Sequence, residues 1–173
     1  APGAKIIFDT VDLHFVREER EATLHNNNAM LKAATATREQ ELALIRSCDV
    51  TLVVSDFEKK LLAELVPEAR VEIISNIHSH TPERSGYAAR EGILFVGGFR
   101  HPPNIDAINW YAREVLPHLR HLLPEVVTKV IGSNMPESLR ALASEQLELL
   151  GFIENIEPYL HQARVSIAPL RYG

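Results

Sequence analysis

The sequence contains almost no cysteine, since Cys48 is the only one in 173 residues. A single cysteine excludes an internal disulfide framework and a zinc site built from cysteines. The motifs H-E-x-x-H, DxD and G-x-S-x-G are missing as well, so no metal site is predicted. There is no apolar run of membrane-spanning length and no recognisable signal peptide. We therefore expect a cytoplasmic location, with peripheral attachment to the inner membrane left open for a full-length protein.

The sequence also lacks an excess of positive charge, because its formal net charge is −5 at pH 7. A general nucleic-acid binder needs a basic face, so no nucleic-acid partner is expected. Hydrophobic residues make up 46% and charged residues 24% of the chain, which is typical of soluble globular domains. The chain starts without Met and stops just after a strand-like segment, so we expect it to be a fragment of a longer protein.

Strand-like and helix-like segments alternate along the chain. Strands are predicted at 4–10, 50–55, 71–75, 92–98, 127–133, 147–151 and 165–170. Helices are predicted at 17–46 with an interruption at 25–29, at 56–65, from Asn104 to about Leu123 with a kink at Pro117, at 136–144 and at 156–163. Ser55 and Glu58 form a capping box before the second helix, and Asn104 is the predicted cap of the third. Such alternation predicts an α/β fold with parallel sheets.

One segment departs from this alternation. Residues 78–92 are mostly polar, contain Pro82 and show no hydrophobic periodicity, which is typical of a linker. The sequence therefore predicts two units, at 1–77 and 93–173. In such folds ligands bind at the carboxyl ends of the strands, so the polar and glycine residues that follow each strand are site candidates.

The segment "ILFVGGFRHPPN" (93–104) is the most informative of these strand ends. Gly97 and Gly98 allow backbone N–H groups to approach a ligand closely, and the start of a helix contributes the positive end of its dipole. Arg100 and His101 follow directly. The segment predicts an anion-binding turn, although it matches neither a G-x-G-x-x-G motif nor a Walker loop.

A second candidate site lies in "FDTVDLHFVRE" (8–18). Asp12 or His14 has the chemistry of a general base, and Arg17 could bind an anionic substrate. A purely structural interpretation stays open, in which Asp9 and Asp12 stabilise a turn and Arg17 forms an ion pair with one of them.

Taken in order, six segments resemble the GT-B glycosyltransferases, in particular the retaining enzymes of glycosyltransferase family 4 (group 1). The segments are "IIFDTVDLHFVREEREA", "CDVTLVVSDFEKKLL", "VEIISNIHS", "ILFVGGFRHPPNIDAINWY", "TKVIGS" and "LELLGFIENIEPYLHQARVSIAPLRYG". The resemblance implies two Rossmann-like parallel-sheet units, both incomplete in this chain. Residues 1–77 would be the C-terminal part of the acceptor domain, and residues 93–173 the N-terminal part of the donor domain.

The resemblance also implies a function. A sugar would pass from a nucleotide-sugar donor to an acceptor hydroxyl group with retention, without an obligatory metal or other cofactor, in the synthesis of cell-surface polysaccharides or glycoconjugates. The partners would be the nucleotide-sugar and a saccharide or lipid-linked acceptor. Asp12 or His14 would face the acceptor and the reacting sugar. Donor-binding candidates are Arg17, Gly97, Gly98, Arg100, His101, Ser133, Asn134, Phe152, Ile153 and Arg171.

Two departures from the family pattern bear on this expectation. Many members carry an Arg and a Lys that hold the diphosphate, whereas the corresponding places here are Gly98 and Asn104, so Arg100 or His101 would have to substitute. The acidic E-x7-E segment would follow Gly173, so we expect no transferase activity from this polypeptide alone.

Two other classes of protein stay open. A nucleotide-cofactor dehydrogenase is disfavoured by the missing G-x-G-x-x-G motif. A non-catalytic nucleotide- or sugar-binding α/β module is the other alternative. Exposed sheet edges would also allow the fragment to form a homo-oligomer.

Overall fold

The structure, a computed structural model, describes residues 3–77 and 86–173. Within these residues the chain forms two compact units. Unit 1 contains residues 3–77 together with 172–173, and unit 2 contains residues 86–171. Most of the predicted linker, residues 78–85, lies outside the described residues. The second unit's first strand begins at Glu91, within the last residues of the predicted linker.

Unit 1 is a three-stranded parallel sheet with helices between its strands. Its elements are β1 (Ile7–Asp9), α1 (His14–Leu24), α2 (Asn28–Ser47), β2 (Val50–Val53), α3 (Asp56–Leu65) and β3 (Val71–Ile73). The strand order is β1-β2-β3, so β1 and β3 are the edge strands. The core consists of buried apolar residues from β2, the three helices and the turns beside them: Leu13, Phe15, Leu42, Ile45, Val53, Leu62 and Val66.

The predicted interruption of the first helical segment is confirmed, and its cause is local. Asn26 has a left-handed backbone (φ 48°), a conformation that asparagine adopts more readily than most residues. The side chain of Asn27 then accepts hydrogen bonds from the backbone N–H groups of Ala29 and Met30. Asn27 is therefore the N-cap of α2, and the polar run ends one helix and starts the next.

Unit 2 is a four-stranded parallel sheet with order β6-β5-β4-β7. It begins with a 3₁₀ turn at Tyr87–Ala89, and its strands and helices are β4 (Glu91–Val96), α4 (Pro102–Trp110), α5 (Leu116–Leu122), β5 (Thr128–Ile131), α6 (Glu137–Arg140), β6 (Leu147–Gly151), α7 (Glu157–Gln162) and β7 (Ala163–Ser166). Its core lies between the sheet and the helices α4 to α6. The prediction of an α/β fold with two parallel sheets is thus confirmed.

The predicted start of the long helix at Asn104 is wrong. The helix begins at Pro102 and is preceded by His101, so Asn104 lies within the first turn. Proline is well suited to this position because its fixed φ is helical and its missing N–H would have no partner there. The helix is also not continuous, because a π-helical turn at Tyr111–Val115 separates α4 from α5. Pro117 lies in the first turn of α5, just after this π-helical turn.

Among the described residues, no helix combines the length and the apolar character needed to cross a membrane.

Candidate functional site

The carboxyl edge of the unit 2 sheet brings together the loops that follow β4, β5 and β6. The backbone N–H of Phe99 donates to the carbonyl oxygen of Ser133 at 2.9 Å, which joins the first loop to the second. The N–H of Gly132 donates to the carbonyl oxygen of Gly151 at 2.8 Å, which joins the second loop to the end of β6. Three predicted strand ends therefore form one continuous edge.

The glycines at this edge allow the loops to approach each other. A Cβ atom on Gly132 would lie 1.9 Å from the carbonyl oxygen of Gly97, far inside van der Waals contact. A Cβ atom on Gly97 would lie 2.8 Å from the side-chain nitrogen of Asn104. Gly98 is different, because the nearest atom to its Cβ would be the Ser133 hydroxyl oxygen at 3.7 Å. Gly97 and Gly132 are thus required for packing, whereas a Cβ atom on Gly98 would make only an ordinary van der Waals contact.

Asn104 fixes the loop that follows β4. Its side-chain nitrogen donates to the carbonyl oxygen of Gly98 at 2.8 Å. Gly98 and Asn104, which the resemblance implies stand in place of a basic pair, are thus bonded to each other. The start of α4 offers little hydrogen bonding of its own, because Pro102 and Pro103 have no N–H and the N–H of Asn104 donates to the carbonyl oxygen of His101.

Some donors at this edge remain available for a ligand. Among the described residues, no protein acceptor is found for the backbone N–H of Gly98 or of Arg100. The side chains of Arg100 and His101 are exposed, and within the same residues they form no hydrogen bond or ion pair. Two free backbone donors and a free guanidinium group make this turn suitable for an anionic oxygen.

The other predicted donor-binding residues of unit 2 lie at different places. Asn134 is exposed in the loop after β5 and has a left-handed backbone (φ 57°). Phe152 is 72% exposed directly after β6, and Ile153 beside it is half-buried. Arg171 forms an ion pair with Asp106 on α4, in which Nε is 2.8 Å from Oδ2 and Nη2 contacts Oδ1. The Arg171 guanidinium group is therefore engaged by a carboxylate of its own unit.

In unit 1, Asp12, His14 and Arg17 lie together around the start of α1. The Arg17 guanidinium group contacts Oδ2 of Asp12, and Nδ1 of His14 is 3.5 Å from Oδ1 of Asp12. The side chain of Asp9 accepts a hydrogen bond from the N–H of Val11 at 3.2 Å. The turn and the ion pair of the structural interpretation are thus both present, while the side chain of His14 is 47% exposed and accessible.

Two buried glutamates complete this cluster, although the sequence pattern assigns neither of them to it. Glu41 of α2 accepts hydrogen bonds from the backbone N–H groups of His14 and Phe15 at 3.2 and 3.0 Å. Glu58 of α3 accepts one from the N–H of Leu13 at 3.1 Å. It also accepts from the N–H of Val54 rather than from that of Ser55, so the predicted capping box is modified. Leu13 has no side chain that can cap α1, so the two distant carboxylates do so.

Within 3–77 and 86–173 there is no group of three or more His, Cys, Asp or Glu side chains arranged to hold a metal ion.

Comparison with known proteins places this fold in a class. Residues 90–173, nearly all of unit 2, match the family model described as "Glycosyl transferases group 1". The resemblance to the group 1 glycosyltransferases is thereby confirmed. No curated protein matches the chain in sequence.

Solved structures show a similar fold. TarM matches with a TM-score of 0.62 and 11% identity, over 76% of this chain and 27% of TarM. A variant of S. aureus TarM, solved in complex with Fondaparinux, alpha-GlcNAc-glycerol and UDP, matches with a TM-score of 0.60, 8% identity and the same coverage. The pneumococcal O-GlcNAc transferase GtfA, in complex with UDP and GlcNAc, gives 0.55, 12% identity, and coverage of 80% and 29%. The likeness shows a GT-B fold, of which the chain spans somewhat more than a quarter.

Proposed function

We propose that this chain is part of a glycosyltransferase that moves a sugar from a nucleotide-sugar donor to an acceptor hydroxyl group. The observation that carries the proposal is the carboxyl edge of unit 2. There the free N–H groups of Gly98 and Arg100 lie beside the Arg100 guanidinium group, which has no partner among the described residues, in a segment that matches the group 1 glycosyltransferases.

The donor diphosphate is assigned to this edge on chemical grounds. Negative charge grows on the leaving diphosphate during sugar transfer, and fixed backbone donors together with Arg100 would stabilise that charge. Because Asn104 holds the Gly98 carbonyl, the loop is preorganised. Ser133, Asn134, Phe152 and Ile153, on the adjacent loops, are proposed to contact the nucleoside. No step requires a metal or another cofactor.

The acceptor is assigned to unit 1 on similar grounds. Asp12 is engaged by Arg17, whereas His14 is half-exposed, so His14 is the better candidate to contact a hydroxyl group. We further propose retention of configuration, a saccharide or lipid-linked acceptor, and a role in polysaccharide or glycoconjugate synthesis in the cytoplasm. A homo-oligomer formed through sheet edges also stays a proposal.

Calorimetric titration of the chain with UDP tests the donor site. UDP is the first probe because it is present in the TarM and GtfA complexes. Losing one charge-assisted contact to a phosphate should weaken binding roughly fivefold to tenfold, so we expect this for Arg100→Ala. Uridine, which lacks the diphosphate, should bind weakly to both proteins.

Arg113→Ala is the matched control, because Arg113 is an exposed arginine of the same unit on the π-helical turn. It should leave UDP affinity unchanged. If no nucleoside diphosphate binds the chain, the donor site is refuted. If UDP binds equally well to the wild type and to Arg100→Ala, the backbone donors alone hold the diphosphate and Arg100 has no part in it.

A further inference from the structure

Glu41 makes contacts that a purely structural carboxylate does not need. Its side chain is only 10% exposed and reaches the start of α1 from the middle of α2. Oε1 is 3.2 Å from the backbone nitrogen of His14 and also 3.2 Å from Nδ1 of the His14 ring. Oε2 accepts from the backbone N–H of Phe15 at 3.0 Å. Both the backbone and the imidazole ring of His14 are therefore held by one buried carboxylate.

The direction of the ring contact follows from the chemistry of the two groups. An ionised carboxylate only accepts hydrogen bonds, so the Nδ1 atom facing it must carry the proton. In a neutral imidazole the other nitrogen, Nε2, then has a free lone pair. The His14 side chain is 47% exposed, whereas the Glu41 side chain is 10% exposed. The ring is thus held along its Nδ1 edge, and about half of the side chain is accessible to solvent.

Asp12 is the other carboxylate near the ring, and it is less suited to this role. Its Oδ1 atom is 3.5 Å from Nδ1 of His14, compared with 3.2 Å for Oε1 of Glu41. Its Oδ2 atom is in contact with the Arg17 guanidinium group, so the negative charge of Asp12 is already paired with a cation. Asp12 is also more exposed, at 32%. Glu41 is therefore the principal acceptor for the His14 ring.

We propose that Glu41 is a positioning residue for His14. It holds the Nδ1–H tautomer and the orientation of the ring, so that Nε2 is presented as a hydrogen-bond acceptor for a hydroxyl group of the sugar acceptor. The assignment of the hydroxyl group rests on the proposed function. The tautomer and the orientation rest on the contacts alone.

The ¹⁵N chemical shifts of the His14 ring test the proposal, because they distinguish the two neutral tautomers. The spectrum would be recorded on the chain without substrate at about pH 8.5, above the ordinary range of imidazole titration. A His14→Gln variant assigns the signals among the eight histidines. Since a hydrogen bond to a charged group is involved, we expect the Nδ1–H form to exceed the Nε2–H form roughly tenfold. In Glu41→Ala this ratio should fall by a similar factor.

Glu58→Ala is the matched control. Glu58 is as buried as Glu41 and also caps the start of α1, but within the described residues it does not contact the His14 ring. It should destabilise unit 1 and leave the tautomer ratio unchanged. A predominantly Nε2–H form in the wild type overturns the proposal even if Glu41→Ala does not fold. So does a ratio that is equal in the wild type and Glu41→Ala, or one that falls equally in both variants.

This experiment is independent of the nucleotide titration. An Nδ1–H tautomer that depends on Glu41, in a chain that binds no nucleoside diphosphate, would support the positioning of His14 and refute the donor site at the edge of unit 2. The opposite pair of results would refute the positioning role and keep the donor site.

Discussion

Tyr111 lies in the core of unit 2, where its hydroxyl oxygen is 2.6 Å from that of Thr128. Burial raises the pKa of the Tyr111 phenol, and the Thr128 hydrogen bond opposes this to a smaller extent. Because the folded pKa exceeds the unfolded one, the neutral phenol favours the fold below about pH 10. Above that pH the unfolded state loses its phenol proton first, so this contribution is lost as the pH rises toward the folded pKa.

Tyr111→Phe should therefore have two effects on the free energy of unfolding. Near pH 7 it should reduce stability by about 1 kcal/mol, because a buried hydrogen bond is lost and the Thr128 hydroxyl is left without it. Between about pH 9 and pH 11 it should lessen the decline in stability seen in the wild type. Urea unfolding measured across this range tests both effects. Tyr87→Phe is the control and should show neither effect, because Tyr87 is 67% exposed. If the stability of Tyr111→Phe declined with rising pH as steeply as that of the wild type, this role of the Tyr111 phenol would be contradicted.

At this scale the sequence predicts local contacts better than distant ones. The structural interpretation of residues 8–18 predicts the Asp12–Arg17 ion pair and the Asp9 turn, because the partners are a few residues apart. The sequence does not predict the contact between Glu41 and His14, since Glu41 lies 27 residues away and resembles any other charged residue on a helix. Only the packing of α1 against α2 shows that it is buried.

At the scale of elements, the loops of the unit 2 edge differ in how much space their glycines have. There is no space for a side chain at Gly132. An added Cβ atom would overlap the Gly97 carbonyl oxygen and would lie 2.9 Å from the Phe99 ring. Both neighbours are held in place, one by the backbone ladder and the other by the core. Gly98 directly precedes Phe99, but a Cβ atom on it would make only an ordinary contact, at 3.7 Å from the Ser133 hydroxyl oxygen.

Gly132→Ala should therefore lower the free energy of unfolding of unit 2 by roughly 1–3 kcal/mol or more, since overpacking forces backbone shifts. Gly98→Ala should change it by less than about 0.5 kcal/mol, because ordinary contact at 3.7 Å needs no shift. Thermal or urea unfolding measures both. Equal stabilities for the two variants would mean that the loops after β4 and β5 are not in contact in solution.

The misplaced start of α4 has a physical explanation at the same scale. Asn104 is a good cap by residue type, but Pro102 and Pro103 can occupy the first turn without loss of hydrogen bonds. Asn104 instead points back to the Gly98 carbonyl. Residue preference alone does not decide between a cap and a contact across a loop, because that choice depends on where β4 ends.

At the scale of the whole molecule, each unit has a core formed by its own residues. The alternation of strands and helices predicts the parallel sheets, because each crossover needs a helix. It does not predict the order β6-β5-β4-β7, in which the last strand pairs with the first of its unit. That order depends on which side of β4 each later strand is added, and the sequence pattern is the same for either side.

Separate cores predict separate unfolding transitions. Trp110 is the only tryptophan, and it lies in α4, so its fluorescence reports on unit 2 alone, whereas circular dichroism reports on both units. Ile45 of unit 1 and Ile108 of unit 2 are both fully buried, and an Ile→Val change at either should cost about 1 kcal/mol. Ile108→Val should therefore shift the urea midpoint of fluorescence, and Ile45→Val should shift only part of the circular dichroism change. If both variants move the fluorescence midpoint equally, the two units unfold in a single cooperative transition. A change in either core would then alter the free energy of unfolding of the whole chain.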